Sequence, residues 1–121
     1  MKRRHVLAAT VIALVAGRSL AEVSAIEAAR IERLIQYIVA QRQVKFVRNG
    51  TAYSCTEAAR FLRGKFDKMG EHVNTAAQFI DQIASRSSTS GQAYLIRFAD
   101  GRTVMAAQFL GDELRRMDRQ P

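Results

Sequence analysis

Residues 45–57, which read KFVRNGTAYSCTE, decide the fold that we predict for this chain. Asn49-Gly50 lies between two short β-prone segments, and this dipeptide favours the type I′ turn of a β-hairpin because both of its positions accept a positive φ. Ser54 and Glu57 then have the spacing of a capping box, in which each side chain accepts a hydrogen bond from a backbone N–H at the start of a helix. The segment therefore predicts strand, turn, strand and helix in direct succession.

Four stretches carry apolar residues at helical spacing, and each predicts one amphipathic helix. The second of these helices follows the capping box and is expected to end at Gly70. The third begins at another capping-box pattern, formed by Thr75 and Gln78. The predicted ranges are residues 22–43, 55–69, 76–85 and 106 onwards.

A second hairpin is predicted nearer the C-terminus. Residues 94–98 alternate as in a strand, Asp100-Gly101 is a turn signal, and residues 103–105 form the returning strand. The expected fold class is α+β, with a small antiparallel sheet of three to four strands, built from two hairpins and packed by three to four helices. The chain of 121 residues has room for one such domain, which we place at residues 22–121.

Residues 1–21 have the pattern of a secretory signal peptide. Lys2, Arg3 and Arg4 form a positive start, residues 6–17 are an uncharged run too short to span a bilayer, and residues 19–21 fit a cleavage site. The alternative is a buried N-terminal helix of the domain. The leader predicts a periplasmic protein that is exported by general secretion, although the arginine pair also fits a twin-arginine leader.

The charge balance argues against a nucleic-acid partner. The chain has 19 basic and 11 acidic residues, but four basic ones (Lys2, Arg3, Arg4 and Arg18) belong to the leader, so the mature chain is only mildly basic. It has no tryptophan and no recognisable nucleic-acid-binding module. With one cysteine and, after the leader, one histidine, we expect no metal site and no cofactor. We also expect no transmembrane span in the mature chain.

Cys55 and His72 are the two candidate catalytic residues. A lone cysteine in an exported protein is free, buried or bridged to another molecule, so we expect a monomer or a weak or disulfide-linked homodimer. The favoured interpretation of Cys55 is a small buried side chain that fills the junction between hairpin and helix. The alternative is a reactive thiol, because the first position of a capped helix is expected to lower the pKa of Cys55. His72 lies in a predicted connection between helices, where a solvated side chain is the simpler interpretation.

Basic and hydroxyl side chains form the candidate binding surface. Its members are Arg48, Arg63, Lys65, Arg86, Ser87, Ser88 and Ser90, and Lys45, Arg60 and Lys68 are the other basic residues of the same segments. Arginine forks, hydroxyls and loop N–H groups together suit an anion or a carboxylate. The alternative is a solvated helix face beside a polar loop.

Several short motifs follow one another in a fixed order. They are FVRNG at residues 46–50, CTEAA at 55–59, LRGK at 62–65, TAAQFI at 75–80 and SRSSTSGQAY at 85–94. In this order they resemble the YfeK-like family of small exported bacterial proteins, a domain of unknown function. The resemblance covers residues 44–98 and implies the fold and the export, but no activity. It also implies that Phe61 replaces a histidine of the family, and that Val44 and Phe98, where relatives have cysteines, lie on adjacent strands.

Three functions are compatible with the sequence. The favoured one is a non-enzymatic binding or accessory module that recognises a small anionic ligand or an envelope protein through the basic surface. The first alternative is a thiol-active protein or small hydrolase that uses Cys55 together with His72. The second is an inhibitor or immunity-like partner of an envelope enzyme, which suits the size of the chain.

Overall fold

The computed structural model describes residues 20–120, and the side chains from residue 24 onwards. Four helices and four strands lie in this range, which confirms the predicted α+β class. Their bounds are α1 Leu20–Ala40, β1 Lys45–Arg48, β2 Thr51–Tyr53, α2 Cys55–Met69, α3 Ala76–Gln82, β3 Leu95–Arg97, β4 Thr103–Met105 and α4 Ala106–Asp118. The predicted leader lies outside the described residues, apart from its last two, which begin α1.

The two hairpins join into one antiparallel sheet with the strand order β2-β1-β3-β4. Asn49 and Gly50 have φ angles of 50° and 79°, so β1 and β2 are connected by the type I′ turn that the dipeptide predicts. In the second hairpin only Gly101 has a positive φ. There the Phe98 N–H donates to the Arg102 carbonyl at 2.8 Å, which gives this hairpin a longer loop.

Strands β1 and β3 pair in the middle of the sheet and fix the register of the two hairpins. Lys45 lies opposite Arg97, and Phe46 lies opposite Ile96. The same register brings residues 44 and 98 to neighbouring positions, which is the adjacency that the family resemblance implies.

The helices cover one face of this sheet. Phe46, Ile96 and Val104 form a row across three strands, and they pack in one core with Leu34 of α1 and Leu62 of α2. Both leucines are fully buried, and each contributes about 1.5–3 kcal/mol of hydrophobic free energy. Because residues two apart on a strand share a face, the residue at position 48 also lies on the helix-covered side of β1.

The predicted capping box forms at the start of α2. The Ser54 hydroxyl accepts a hydrogen bond from the Glu57 N–H at 3.1 Å, and the Glu57 carboxylate accepts one from the Ser54 N–H at 2.9 Å. Gly70 ends this helix as predicted, but its φ of −89° is not the left-handed conformation typical of a terminal glycine. The glycine is needed because a Cβ at this position would collide with the Phe66 ring.

Two helices are shorter than predicted. Helix α1 ends at Ala40 rather than near residue 43, because the Gln41 N–H bonds to the Ile38 carbonyl and tightens the last turn. Helix α3 ends at Gln82 instead of Ser85, whose hydroxyl donates to a carbonyl of the helix at 2.6 Å.

The second predicted capping box forms only in part, and a side chain of α1 binds one further N–H at the start of α3. The Thr75 hydroxyl accepts from the Gln78 N–H as predicted, but the Gln78 side chain accepts from the Asn74 N–H rather than from Thr75. Glu27 of α1 accepts instead from the Ala76 N–H, at 2.8 Å. This hydrogen bond fixes α1 against the start of α3.

Candidate functional site

A cleft opens between the β1–β2 hairpin, helix α2 and the loop of residues 85–92. It consists of two adjoining lobes, whose linings share Arg48, Arg60 and Phe61. The apolar lobe has a volume of about 260 Å³ and is also lined by Phe46, Tyr53, Glu57 and Ala58. The basic lobe has a volume of about 440 Å³, and its further lining includes Lys65, Lys68, Met69, Ser88, Thr89 and Tyr94.

Helix α2 supplies one wall of the cleft along a single side. Residues three or four apart on a helix are neighbours on its surface, and Arg60, Gly64 and Lys68 follow one another at this spacing. Phe61 and Lys65 form the adjacent row, which lies closer to the core. The wall is therefore cationic at its rim, and one aromatic ring and one buried cation lie at its base.

Lys65 is a buried cation in the lining of the basic lobe. Its side chain is only 7% exposed, and its Nζ donates to the Arg86 carbonyl at 2.7 Å and to the Tyr94 hydroxyl at 3.1 Å. Burial lowers the pKa of Lys65, and the nearby positive charges of Arg48 and Arg86 lower it further. Among the described residues, no carboxylate forms an ion pair with Lys65.

Arg48 lies between the two lobes. Its guanidinium stacks on the Phe61 ring at 4.1 Å, and Phe61 contacts the Tyr94 ring edge-on with 5.9 Å between the ring centroids. The Arg48 Nε is buried and has no hydrogen-bond partner among the described residues. Stacking therefore fixes the position of this cation while its hydrogen-bonding capacity is incompletely used.

The loop beside the basic lobe is tied to the hairpin turn. Asn49 donates from Nδ2 to the Ser87 hydroxyl at 3.3 Å and accepts from the Ser90 hydroxyl at 2.5 Å. The Ser87 oxygen also accepts from the N–H groups of Thr89 and Ser90. The hydroxyls of Ser87 and Ser90, which we predicted as ligand contacts, are thus engaged within the protein and hold the loop in shape.

Two other predicted members, Ser88 and Arg86, differ in their relation to the basic lobe. Ser88 is exposed and lines the lobe, and its hydroxyl donates to the Met69 sulfur at 3.5 Å. Arg86 is also exposed, and it supplies the backbone carbonyl that binds Lys65. The cleft thus brings together Arg48, Lys65, Ser87 and Ser88 from the predicted surface, while Arg86 and Ser90 are not among its lining residues.

Arg63 belongs to the predicted surface but lies on a different side of α2 from the cleft. It binds Glu32 of α1 through two hydrogen bonds of 2.6 Å, on the other side of α2. Two residues along a helix correspond to a rotation of about 200°, so Arg63 is turned away from the side that carries Phe61 and Lys65.

Four aromatic side chains of the cleft were missing from the predicted surface, namely Phe46, Tyr53, Phe61 and Tyr94. The place of Phe61 in the cleft could have been predicted from the sequence, because Phe61 lies one turn before Lys65 on the same helix. No such spacing indicates Tyr53 or Tyr94, since one is the last residue of a short strand and the other comes from a distant loop. Their places in the cleft depend on how α2 crosses the sheet.

The two candidate catalytic residues are far apart. Cys55 is 4% exposed, and its thiol donates to the Val44 carbonyl at 3.6 Å. Burial raises the pKa of Cys55 and outweighs the opposite effect of Lys45, so the lowered pKa that we expected is wrong. His72 is exposed beyond the far end of α2, about 20 Å along the helix axis from Cys55.

Two further searches of the described part of the chain gave negative results. No three side chains of histidine, cysteine, aspartate or glutamate come together there in a way that could hold a metal ion. None of its helices is both long enough and apolar enough to cross a membrane.

The match to a family model identifies the class of protein. Residues 25–118 match the model described as "Family of unknown function (DUF5329)", and the chain belongs to this family. The matched range includes the whole sheet, all of α2, α3 and α4, and most of α1.

A curated relative makes the assignment more specific. The chain is 37% identical over 91 residues to the "Uncharacterized protein YfeK" of Salmonella typhimurium strain LT2, and the alignment covers 75% of this chain and 76% of that protein. This similarity confirms the resemblance to the YfeK-like family. No solved structure gives a significant match to the chain.

The Glu32–Arg63 pair predicts how stability depends on pH. Hydrogen bonds from Arg63 and Gln36 lower the pKa of Glu32 from 4.5 to about 2. Because this pKa is depressed in the folded state, the pair stabilises the protein above the unfolded pKa, and the contribution disappears as the pH falls through about 2. Both side chains are nearly half exposed, so we expect Glu32→Gln to lower the free energy of unfolding by about 0.5–1 kcal/mol at pH 7.

Urea unfolding at pH 7 and at pH 2 measures this difference. Wild type and Glu32→Gln should differ at pH 7 and converge towards pH 2. Glu71→Gln, which removes an exposed carboxylate outside any described ion pair, is the matched control. An equal loss of stability in both variants at pH 7 would contradict the role of the pair.

Burial of Cys55 predicts slow thiol labelling. With 5,5′-dithiobis-(2-nitrobenzoic acid) at neutral pH, the native protein should react about 100-fold more slowly than the protein in urea, because the thiol is buried and its pKa is raised. The control is Thr56→Cys in a Cys55→Ser background, since residue 56 is exposed on the same helical turn. Equal labelling rates for the two native proteins would show that Cys55 is accessible.

Proposed function

We propose that this chain is an exported periplasmic accessory protein that binds a small anionic ligand in the basic lobe of its cleft. The observation that carries the proposal is Lys65, a buried cation with no acidic partner among the described residues, in a lobe whose charged lining is cationic throughout. The other charged residues of that lining are Arg48, Arg60 and Lys68.

The energetics of Lys65 favour an anion in this place. Burying a charge is costly unless it is paired, and the carbonyl and hydroxyl that bind Lys65 are neutral dipoles. Arg48 and Arg86 add to the cost, because their positive charges favour the neutral amine. An anion in the basic lobe lies beside both Lys65 and Arg48, so its binding energy includes relief of the repulsion between these two cations.

The chemistry of the lining supports binding rather than catalysis. Neither lobe contains a histidine or a cysteine among its lining residues, and the only carboxylate is that of Glu57. That carboxylate caps α2 through Ser54 and is exposed rather than positioned against a nucleophile. An activated nucleophile needs an adjacent base within hydrogen-bond reach, and the cleft offers no such pair. The carboxylate of an envelope protein would be bound by the same cations as a small anion.

Inorganic phosphate is the simplest probe of the basic lobe. Calorimetric or NMR titration at low salt should detect binding to the wild type, and Arg60→Gln combined with Lys68→Gln should weaken it about tenfold, since two charged hydrogen-bond donors are lost. Both residues are exposed, so these changes leave the core intact.

The matched control is Arg33→Gln combined with Arg97→Gln. These substitutions remove the same number of charges from exposed sites outside the cleft, and phosphate binding should be unchanged. Equal weakening in both double variants would mean that phosphate responds only to net charge. Such a result, or the absence of binding to the wild type, would overturn the proposed function.

Export is tested separately. We expect the protein from a periplasmic fraction to begin at Glu22, because the residues before it fit a cleavable leader. N-terminal sequencing and intact mass measure this, and a full-length chain confined to the cytoplasmic fraction would contradict it. Arg3→Lys with Arg4→Lys should leave export intact if general secretion is the route, and should block it if the twin-arginine route is used.

A further inference from the structure

The two lobes of the cleft differ in chemistry although they share one wall. Aromatic rings of Phe46, Tyr53 and Phe61 line the apolar lobe, and its volume of about 260 Å³ exceeds the ~150 Å³ of an apolar cavity that accepts benzene. The basic lobe beside it contains Lys65 and Lys68. A ligand that fills both lobes needs an apolar group at one end and a negative charge at the other.

Glu57 determines which way such a ligand lies. Its carboxylate lines the apolar lobe and is held by the Ser54 N–H at 2.9 Å. Hydrogen bonds from Ser54 lower the pKa of Glu57, so the carboxylate is charged at neutral pH. This charge repels an anion from the apolar lobe, whereas Lys65 and Lys68 attract it to the basic lobe.

Arg48 connects the two environments. Its guanidinium lies 4.1 Å from the Phe61 ring and lines both lobes. A cation fixed in this place contacts the charged group of a ligand without having to be ordered first, which reduces the entropic cost of binding. Arg48 covers one face of the Phe61 ring, so this face is not available to the ligand. The apolar group of the ligand therefore packs against Tyr53 and the rest of the apolar lobe.

We propose that the ligand is a small anion carrying one aromatic ring, such as an aryl phosphate or an aryl carboxylate. The ring lies in the apolar lobe against Tyr53, where edge-on or offset contacts between rings are favourable. The negative group lies in the basic lobe, within reach of Arg48 and Lys68. This inference rests on the proposed function, because it assigns the ligand class of the same cleft.

Three compounds test the contribution of the ring and that of the negative charge separately. They are phenyl phosphate, methyl phosphate and benzyl alcohol. In calorimetric titrations at equal salt, phenyl phosphate should bind about tenfold more tightly than methyl phosphate, because it buries a ring that methyl phosphate lacks. Benzyl alcohol, which has the ring and no charge, should bind more weakly than either phosphate ester. In Tyr53→Ala the advantage of phenyl phosphate should disappear while methyl phosphate binding stays unchanged, whereas the control Tyr37→Ala should retain both.

NMR of the Ala58 methyl group gives a readout that needs no variant. Ala58 lines the apolar lobe but not the basic lobe. The chemical shift of its methyl group should therefore change with phenyl phosphate and remain unchanged with methyl phosphate. Equal affinity of the two phosphates, or an Ala58 methyl unmoved by phenyl phosphate, would overturn the ring assignment and leave the proposed function standing. Binding of benzyl alcohol as tight as that of phenyl phosphate would also overturn it. Failure of all three compounds would overturn the proposed function and this inference together.

Discussion

The absence of any linker between the β1–β2 hairpin and α2 is the constraint on which the site depends. The strand ends at Tyr53, Ser54 caps the helix, and α2 begins at the next residue. The capping box fixes the direction in which the chain leaves the sheet, because both of its hydrogen bonds must form at one residue. Helix α2 therefore crosses the face that carries Phe46, and Leu62 packs into the core from it.

The cleft follows from this crossing. A helix that begins against the sheet and continues beyond it leaves one of its sides unfilled, and that side carries Arg60, Phe61 and Lys68. The opposite side is used for packing on α1, where Arg63 meets Glu32. The basic residues of α2 therefore have two different roles, because they point in different directions around the helix axis. Arg60 and Lys68 face the cleft, whereas Arg63 faces α1. Lys65, between the cleft and the core, combines a buried stem with a charge that has no carboxylate partner among residues 24–120.

Local chemistry explains which parts of this arrangement could be predicted from the sequence. The Asn49-Gly50 turn and the Ser54 cap involve residues within three positions of each other, so their hydrogen bonds can be inferred from spacing alone. Spacing alone does not show that Arg60 lines the cleft while Arg63 does not, since this depends on which side of α2 faces α1. The raised pKa of Cys55 depends on burial by β1 and α1 rather than on its place at a helix start. Tyr94 reaches Lys65 from 29 positions along the chain, and no local pattern indicates that contact.

Asn49 has one more consequence for the protein, which concerns its chemical lifetime. Asparagine followed by glycine is the dipeptide most prone to deamidation, because the unhindered glycine N–H can attack the side-chain carbonyl and form a succinimide. Here the side-chain oxygen of Asn49 accepts from the Ser90 hydroxyl, and its amide nitrogen donates to Ser87. These bonds hold the side chain against the loop and oppose the rotation that attack by Gly50 requires. The serines that shape the loop thereby slow the conversion of the turn to isoaspartate, which would lengthen the backbone there and put a negative charge close to the basic lobe.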